Sequence, residues 1–185
     1  HMHNEFVLFV GPMFGGKTTK LLSTLDRYKY QGKNLLTFKP NIDQRYSDNE
    51  IVTHWNARVP ANKIKHGTDI ISYIENSKTY VVAVDEAFMI PNIGEVLISL
   101  YRAGHTVVVS SLQLSSDFTP YAEIQAMMPY ATRIELCPAV CAKCDKDAHY
   151  TIKIGGRSDH AIEVGGADMY QPVCREHFIE FETTR

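Results

Sequence analysis

The chain has 185 residues, of which 44% are hydrophobic, and it carries 19 basic and 21 acidic side chains. This length supports one well-packed core with a small appendage, and the hydrophobic content excludes a disordered chain. The formal net charge of −2 gives no general electrostatic reason to expect nucleic acid or an acidic membrane as a partner. No apolar run reaches the ~18 residues that a membrane span needs. No signal peptide is visible, and the initial His-Met-His looks like a cloning remnant.

Alternating strand and helix patterns follow from residue 5 to residue 136. Short apolar runs rich in β-branched residues predict strands at 5–12, 34–40, 79–87, 105–112 and 132–136. Helical patterns predict helices at 17–31, 68–77, 92–104 and 119–131, the last of them broken at Pro129. Residues 41–62 predict an irregular polar loop. This alternation predicts an α/β core built around a mostly parallel sheet.

A glycine-rich segment follows the first predicted strand. Residues 11–18 fit the phosphate-binding pattern G-x-x-x-x-G-K-[ST] at every fixed position, and they lie between a predicted strand and a predicted helix. The glycines allow backbone N–H groups to surround phosphate oxygens, and the helix N-terminus adds its dipole. Lys17 is expected to reach the β- and γ-phosphates and Thr18 to hold Mg²⁺. The predicted nucleotide-binding residues are Gly11, Pro12, Met13, Phe14, Gly15, Gly16, Lys17, Thr18, Thr19 and Asp85. The alternative is a turn that matches the pattern by chance.

Two adjacent carboxylates end the strand predicted at 79–87. A P-loop needs a distant carboxylate to complete its Mg²⁺ site, and adjacent acids at the end of a strand point in different directions. We assign Asp85 to Mg²⁺, directly or through water, and Glu86 as the general base for the nucleophile that attacks the γ-phosphate. The alternative is that both acids only cap the following turn.

The four cysteines crowd into the C-terminal third beside histidines, which indicates a metal site rather than disulfides. Cys141 and Cys144 form one pair, and Cys174 and His177 form another, each with two residues between the partners. Two such pairs suit a tetrahedral zinc ion, and four protein ligands leave no open position, so we expect a structural site. Cys137 is left over and is expected to be a buried apolar residue or to replace one ligand. The alternative is a set of unrelated free cysteines.

Near residue 137 the alternation of predicted strands and helices ends and a cysteine-containing segment begins. Residues 148–154 and 160–164, joined by Gly-Gly-Arg-Ser-Asp, predict a β-hairpin framed by the cysteines. We therefore predict two domains, a P-loop α/β nucleotide-binding domain at 5–136 and a zinc-binding domain at 137–180.

Taken together, these segments resemble the type II thymidine kinase family over about residues 5–178. The similar segments are GPMFGGKTT, KPNIDQRYS at 39–47, VDEA, CAKC, CREH and GGADMYQPVC at 165–174. The last of them is similar to the lasso that covers the substrate in this family. The resemblance implies a RecA-like P-loop core with a small C-terminal zinc-ribbon-like β-hairpin domain that carries the lasso. It also implies an ATP-dependent kinase that phosphorylates the 5′-hydroxyl of thymidine, with Mg²⁺, structural Zn²⁺ and Glu86 as the base.

The resemblance implies a nucleoside site as well. Asp43 and Arg45 would lie near the sugar and the transferring phosphate. Backbone groups of the lasso would hold the base, and Tyr170 would close over the sugar and the base. The implied substrate-binding residues are Met13, Asp43, Arg45, Glu86, Met89, Leu112, Ser116, Tyr121, Thr151, Ala161, Glu163, Val164, Gly165 and Tyr170. The family further implies nucleotide salvage, cytoplasmic localisation and a homotetramer or dimer, with a small nucleoside as the partner and neither nucleic acid nor membrane.

The sequence departs from the family in the base pocket. The family's Asp-Glu-x-Gln-Phe is Asp-Glu-Ala-Phe-Met at 85–89, so Met89 takes the place of the pocket phenylalanine, and Ser116 replaces a second aromatic residue. Loss of an aromatic face removes stacking worth about 0.5–1.5 kcal/mol. One hypothesis is therefore an altered preference for a 5-substituted deoxyuridine.

Three further functions stand as alternatives. A P-loop ATPase that moves nucleic acid is disfavoured by the near-neutral charge and the short chain. A nucleotide sensor without kinase activity is disfavoured because Lys17, Thr18 and both acids are intact. A kinase for deoxycytidine or purine nucleosides is disfavoured by the lasso-like segment.

Overall fold

The computed structural model describes residues 3–41, 49–53, 57–155 and 169–184. The strands are β1 (Phe6–Val10), β2 (Asn34–Pro40), β3 (Glu50–Val52), β4 (Arg58–Pro60), β5 (Asn62–Ile64), β6 (Tyr80–Asp85), β7 (Thr106–Ser111), β8 (Arg133–Leu136), β9 (Ala139–Val140), β10 (Asp147–Ala148), β11 (Tyr150–Lys153) and β12 (Tyr170–Val173). The α-helices are α1 (Lys17–Tyr30), α2 (Ile93–Arg102), α3 (Ala122–Met127) and α4 (Arg175–Thr184). Short 3-10 helices lie at Gly67–Tyr73, Ala87–Met89 and Met128–Tyr130.

A six-stranded sheet with the order β5-β2-β6-β7-β1-β8 forms the centre of the molecule. Each of its neighbouring strand pairs is parallel, which confirms the predicted α/β fold. After β1 the chain passes over β7 and β6 to β2, whereas after β7 it goes to β8 on the other side of β1. The strand order therefore reverses beside β1, and ligands of such sheets bind at the carboxyl ends of the strands near that point.

The sheet is buried on both faces, as parallel sheets require. On one face, alternate residues of β1 and β6 pack with Leu21, Leu22 and Leu25 of α1. On the other face, the intervening strand residues pack with α2 and α3, which contribute Leu97 and Ile124 among others. The alternation matters for the site, because it decides which strand-end side chains face the glycine-rich segment before α1.

The loop predicted at 41–62 is the main error in the predicted elements. Its described parts contain β3 and β4, which form an antiparallel pair, and the beginning of β5, which extends the main sheet beside β2. Each of these strands has three residues, too few to show an alternating pattern in the sequence. The helix predicted at 68–77 is a 3-10 helix at Gly67–Tyr73.

The region beyond residue 137 has its own small hydrophobic cluster, formed by Ala139, Cys141, Ala148, Ile152, Val173 and Cys174. Strand β9 pairs with β10, and β11 pairs antiparallel with β12. The segment 160–164, predicted as the partner of β11, lies outside the described residues. Helix α4 was not predicted from the sequence. The described residues contain no helix with the length and apolar character needed to cross a bilayer.

Candidate active site

The glycine-rich segment connects the carboxyl end of β1 to α1 and rests on the chain that follows β8. A Cβ atom at Gly11 or Gly15 would lie 2.4 Å from the backbone oxygen of Cys137. The Cys137 N–H in turn donates to the Val10 oxygen over 2.7 Å. Gly16, immediately before the helix, has a left-handed φ of 72°. These contacts explain why glycine occupies these positions, since a side chain would displace the backbone from β8 or strain the helix start.

Lys17, Thr18 and Asp85 come together at the carboxyl edge of the sheet. The Lys17 ammonium donates to the Pro12 oxygen within the glycine-rich segment. The Thr18 hydroxyl donates to Asp85 Oδ1 over 3.1 Å, although the two residues are 67 positions apart. Asp85 is buried and also accepts a hydrogen bond from Ser110 at the end of β7. A hydroxyl and a carboxylate in contact next to the glycine-rich segment are oxygen ligands of the kind that Mg²⁺ takes.

Glu86 follows Asp85 in a left-handed conformation, with φ 51° and ψ 46°. A non-glycine residue in this region costs about 1–2 kcal/mol, and such strained positions cluster at functional sites. Asp85 lies on the α1 side of the sheet, and the turn at Glu86 leads into the 3-10 helix Ala87–Met89 on the way to the opposite side. Glu86 lines the same small cavity as Thr18 and Asp85, so the expectation that the two carboxylates point in different directions stays a prediction.

The predicted base-pocket residues lie in one buried cluster on the α2 side. It contains Met13, Met89, Leu112, Tyr121 and Tyr170, each less than 10% exposed. Thr151 of β11 joins this group to the glycine-rich segment, because its hydroxyl accepts a hydrogen bond from the Met13 N–H over 3.0 Å. The structure thus brings residues from four separate parts of the chain to one side of the phosphate cradle.

Sequence reasoning missed an aromatic residue in this cluster. Phe88 packs on Tyr121 with ring centroids 4.9 Å apart, and its backbone N–H donates to Ser111. Met89 does replace the family phenylalanine in the sequence, but an aromatic ring is still present one position earlier. Ala87, Phe88 and Met89 are adjacent apolar residues. The sequence therefore could not indicate which of their side chains faces the cluster.

Ser116 is buried in the loop after β7, and this loop contacts the cysteine-containing region. Phe118, with a left-handed φ of 64°, lies edge-on to Phe178 of α4 at 4.6 Å between centroids. Phe178 also stacks on Tyr150 of β11 at 4.2 Å. The loop that carries Ser116 is therefore held by a residue next to His177.

A buried lysine is the other site residue that sequence reasoning did not single out. Lys39 is 4% exposed, is the penultimate residue of β2 next to β6, and its Nζ donates to the Glu50 backbone oxygen over 2.7 Å. It lines a small cavity of about 20 Å³ together with Thr18, Asp85 and Glu86. A lysine at the end of an otherwise apolar strand was the available signal.

The four predicted zinc ligands form one cluster, in which the ligand atoms lie within 4.8 Å of one another. Cys141 and Cys144 lie in the turn between β9 and β10, whereas Cys174 follows β12 and His177 is in the first turn of α4. A Cys₃His set of this size is compatible with tetrahedral zinc. Cys137 is separate from this cluster and is buried in the core on the α1 side, as the apolar expectation stated.

Two thiols of this cluster, those of Cys141 and Cys174, have a lowered pKa, whereas burial and neighbouring thiols raise the pKa of Cys144. Burial raises the pKa of Cys141, but hydrogen bonds from backbone N–H groups outweigh it and lower that pKa to about 6. Cys174 Sγ lies 3.2 Å from His177 Nδ1, and this hydrogen bond raises the pKa of the imidazole. The backbone N–H of His177 and the same side-chain hydrogen bond lower the pKa of the Cys174 thiol. The thiolate is the form of cysteine that binds metals.

Several predicted residues lie outside the described part of the chain. These are Asp43, Arg45, Ala161, Glu163, Val164 and Gly165. Their assignments to the substrate stay predictions, as do the functional roles of the residues that the structure does place and the division into domains at residue 137.

The sequence of this chain is similar to those of known proteins. The family model described as thymidine kinase matches residues 4–178. The thymidine kinase of Ureaplasma parvum is 32% identical over 92% of this chain and 80% of its own length. Those of Pyrobaculum aerophilum and Myxoma virus are also 32% identical, over 94% and 91% of this chain and 97% and 93% of their own lengths.

A weaker likeness connects the fold with a solved structure. The genome packaging NTPase B204 from Sulfolobus turreted icosahedral virus 2 has a TM-score of 0.47 and 16% identity, covering 72% of this chain and 74% of its own. A likeness of that size supports no conclusion about activity.

Proposed function

This chain belongs to the thymidine kinase family, and from this premise we propose that it transfers the γ-phosphate of ATP to the 5′-hydroxyl of thymidine. The observation that carries the proposal is the hydrogen bond between Met13 and Thr151. It joins the phosphate cradle to the buried cluster around Tyr170, so that a nucleotide phosphate and a nucleoside base would have adjacent sites.

The proposed phosphate site uses residues that already contact one another. The N–H groups of residues 11–16 and the Lys17 ammonium would bind the β- and γ-phosphates. Mg²⁺, when bound by Thr18 and Asp85, would neutralise charge on these phosphates. Ser110 keeps the Asp85 carboxylate oriented toward Thr18, so the oxygen ligands are positioned before the nucleotide arrives.

The proposed chemical step is an in-line displacement at the γ-phosphorus. Glu86 accepts the proton of the nucleoside 5′-hydroxyl, and that oxygen forms a bond to the γ-phosphorus. The bond from the γ-phosphorus to the bridging oxygen breaks, and ADP leaves with the electron pair. The left-handed conformation of Glu86 supports this role, since strained backbone positions cluster at functional sites.

The apolar lining of the buried cluster supports thymidine as the nucleoside. Phe88 and Tyr121 supply aromatic faces, and Met13 and Met89 add flexible apolar surface that suits a methyl-bearing base. We further propose that Asp43 and Arg45 act at the sugar and phosphate, and that the lasso segment with Ala161, Glu163, Val164 and Gly165 holds the base. ATP, Mg²⁺ and structural Zn²⁺ are the proposed cofactors, and a homotetramer or dimer is the proposed assembly.

The test is ATP consumption with a panel of thymidine, deoxyuridine, 5-hydroxymethyldeoxyuridine, deoxycytidine and deoxyguanosine. We expect thymidine to give the highest kcat/KM and a Lys17→Met variant to show no turnover. If turnover occurred only with another pyrimidine nucleoside, that nucleoside and not thymidine would be the substrate. If none of the five nucleosides caused ATP consumption in the presence of Mg²⁺, the proposal would be refuted.

A further inference from the structure

A shielded ammonium group lies beside the predicted nucleoside site. Lys153 is the last residue of β11, and its Nζ atom is buried without a hydrogen-bond partner in the part of the chain that the structure describes. The ammonium lies over the Tyr170 ring, with 6.0 Å between Nζ and the ring centroid. This distance is at the outer limit of a cation–π contact, and a ring face does not replace the hydrogen bonds that water gives to an ammonium.

Strand alternation puts this side chain on the face of β11 that contacts the glycine-rich segment. Ile152 packs in the small cluster beside the cysteines, so its two neighbours in the strand, Thr151 and Lys153, belong to the opposite face. On that face the Thr151 hydroxyl accepts a hydrogen bond from the Met13 N–H. Tyr170 is paired with Lys153 in the β11–β12 register and is buried in the cluster on the α2 side. The ammonium therefore adjoins the predicted base pocket.

The position of this ammonium favours a contact with the nucleoside over one with ATP. An ammonium has three donors and no acceptor, so its partner must supply an acceptor atom. The substrates of the proposed reaction offer phosphate oxygens, hydroxyl groups and base carbonyls. The proposed phosphate site adjoins Thr151 through Met13, whereas Lys153 lies about 6–7 Å further along the strand, at the Tyr170 ring. A base carbonyl is the acceptor that an apolar pocket on this side would receive.

We propose that Lys153 donates a hydrogen bond to a carbonyl oxygen of the pyrimidine base and thereby contributes to the choice of base. The inference rests on the proposed kinase function and adds a specificity-determining residue to it. Thymine has carbonyl groups at positions 2 and 4, whereas cytosine has an amino group at position 4. A contact at position 4 would therefore also reject deoxycytidine, because an ammonium and an amino group are both donors. A contact at position 2 would not distinguish the two bases.

The competing explanation is that Lys153 only packs on Tyr170 and stabilises β11 and β12. Lys153→Met separates the two explanations, because methionine keeps an unbranched apolar side chain over the ring but removes the ammonium. A buried donor without a protein partner costs free energy in the folded state. Its removal should therefore leave the melting temperature unchanged or raise it, unless the contact with the ring is what matters. The matched control is Lys29→Met, at an exposed position on α1.

The decisive readout is kcat/KM for thymidine, 2-thiothymidine and 4-thiothymidine, in which sulfur, a weak acceptor, replaces one carbonyl oxygen at a time. We expect the wild type to use one of the two thio analogues about tenfold or more less efficiently than thymidine. Lys153→Met should lose about tenfold in kcat/KM for thymidine and should use that analogue within about threefold of thymidine. The KM for ATP should not change. Lys29→Met should reproduce all wild-type values.

An equal loss of kcat/KM with all three nucleosides in Lys153→Met, together with a lower melting temperature, would overturn the inference in favour of packing. A raised KM for ATP with wild-type preference among the nucleosides would overturn it in favour of a phosphate contact. If Lys153→Met does not fold, the same nucleosides are compared on Lys153→Gln, whose shorter neutral side chain is a weaker donor. Reduced discrimination then supports the contact, and wild-type discrimination refutes it. If the proposed function itself fails, the wild type phosphorylates none of the three nucleosides, and the inference is refuted with it.

Discussion

At the scale of single residues, Asp85 and Glu86 are two carboxylates at one strand end for which we propose two different functions. The chain leaves β6 through a left-handed residue that is not glycine, so the conformation is held by its surroundings, among them the hydrogen bond from the Phe88 N–H to Ser111. We propose different roles for the two acids because Asp85 contacts Thr18 and Ser110, whereas Glu86 is the residue with the strained backbone conformation.

Replacing Glu86 should therefore separate proton transfer from nucleotide binding. We expect Glu86→Gln to lower kcat about 10²- to 10⁴-fold and to leave AMP-PNP affinity in the presence of Mg²⁺ within about threefold of wild type. Glu95→Gln, at an exposed position on α2, is the control and should have no effect. Loss of nucleotide binding in Glu86→Gln would instead place this carboxylate in the magnesium site.

The glycine at position 15 gives a second prediction at this scale. A Cβ atom there would approach the backbone oxygen of Cys137 to 2.4 Å, and a backbone atom cannot move aside cheaply. We expect Gly15→Ala to weaken nucleotide binding about tenfold or more and to lower the melting temperature. Gly32→Ala is the control, since Gly32 has a φ of 74° and open space around it; it should cost about 1 kcal/mol without affecting nucleotide affinity.

At the scale of elements, the loop after β7 and helix α4 are connected through aromatic rings. Phe178 contacts Phe118 of the loop on one side and Tyr150 of β11 on the other. The loop carries Ser116 and precedes Tyr121, both of which belong to the predicted base pocket. The shape of that pocket therefore depends on an element that lies beside the cysteine cluster.

Removing the Phe178 ring should affect the nucleoside more than the nucleotide. We expect Phe178→Leu to raise the KM for thymidine several-fold, because the loop loses an aromatic contact worth about 0.5–1.5 kcal/mol, and to leave the KM for ATP unchanged. Phe181→Leu is a matched control on the same helix, since Phe181 packs on the same small cluster. If both variants change the two KM values equally, the rings only stabilise α4.

At the scale of the whole molecule, the two hydrophobic cores on the faces of the sheet are distinct from the cluster around Cys141 and Cys174. The glycine-rich segment follows β1 of the main sheet, whereas β11, β12 and α4 contribute Ile152, Val173 and Phe178 to the small cluster. Thr151 and Tyr170 carry the connection from the small cluster to the predicted nucleoside site.

Loss of the metal should for this reason affect the binding of thymidine and the binding of AMP-PNP differently. We expect Cys144→Ser to bind less than one zinc per chain by atomic absorption and to lose thymidine binding, since a structural zinc site contributes directly to folding. AMP-PNP binding should persist, because the cradle packs on the sheet. Cys137→Ser is the control for cysteine removal and should keep its zinc. If Cys144→Ser lost both thymidine binding and AMP-PNP binding, the result would show that the molecule unfolds as one unit.

The sequence by itself determined the parts of this protein that lie within short continuous motifs. The glycine-rich segment, the acid pair at the end of β6 and the two Cys/His pairs each have a fixed local spacing, and the alternation of apolar runs determined the α/β class. The three-residue strands β3, β4 and β5 were missed because so short a segment has no period to detect.

Only the tertiary structure decided which distant residues meet. Met13 and Thr151 are 138 positions apart, and Lys39 stands beside Asp85 because two parallel strands share a register. The Cys137 oxygen lies against Gly11 and Gly15 because β8 follows β1 in the sheet, and Phe118 reaches Phe178 through a loop and a helix with no common motif. The physical reason is that strand order and packing are set by burial of the whole core, so contacts between chain segments far apart in sequence leave no local pattern in either segment.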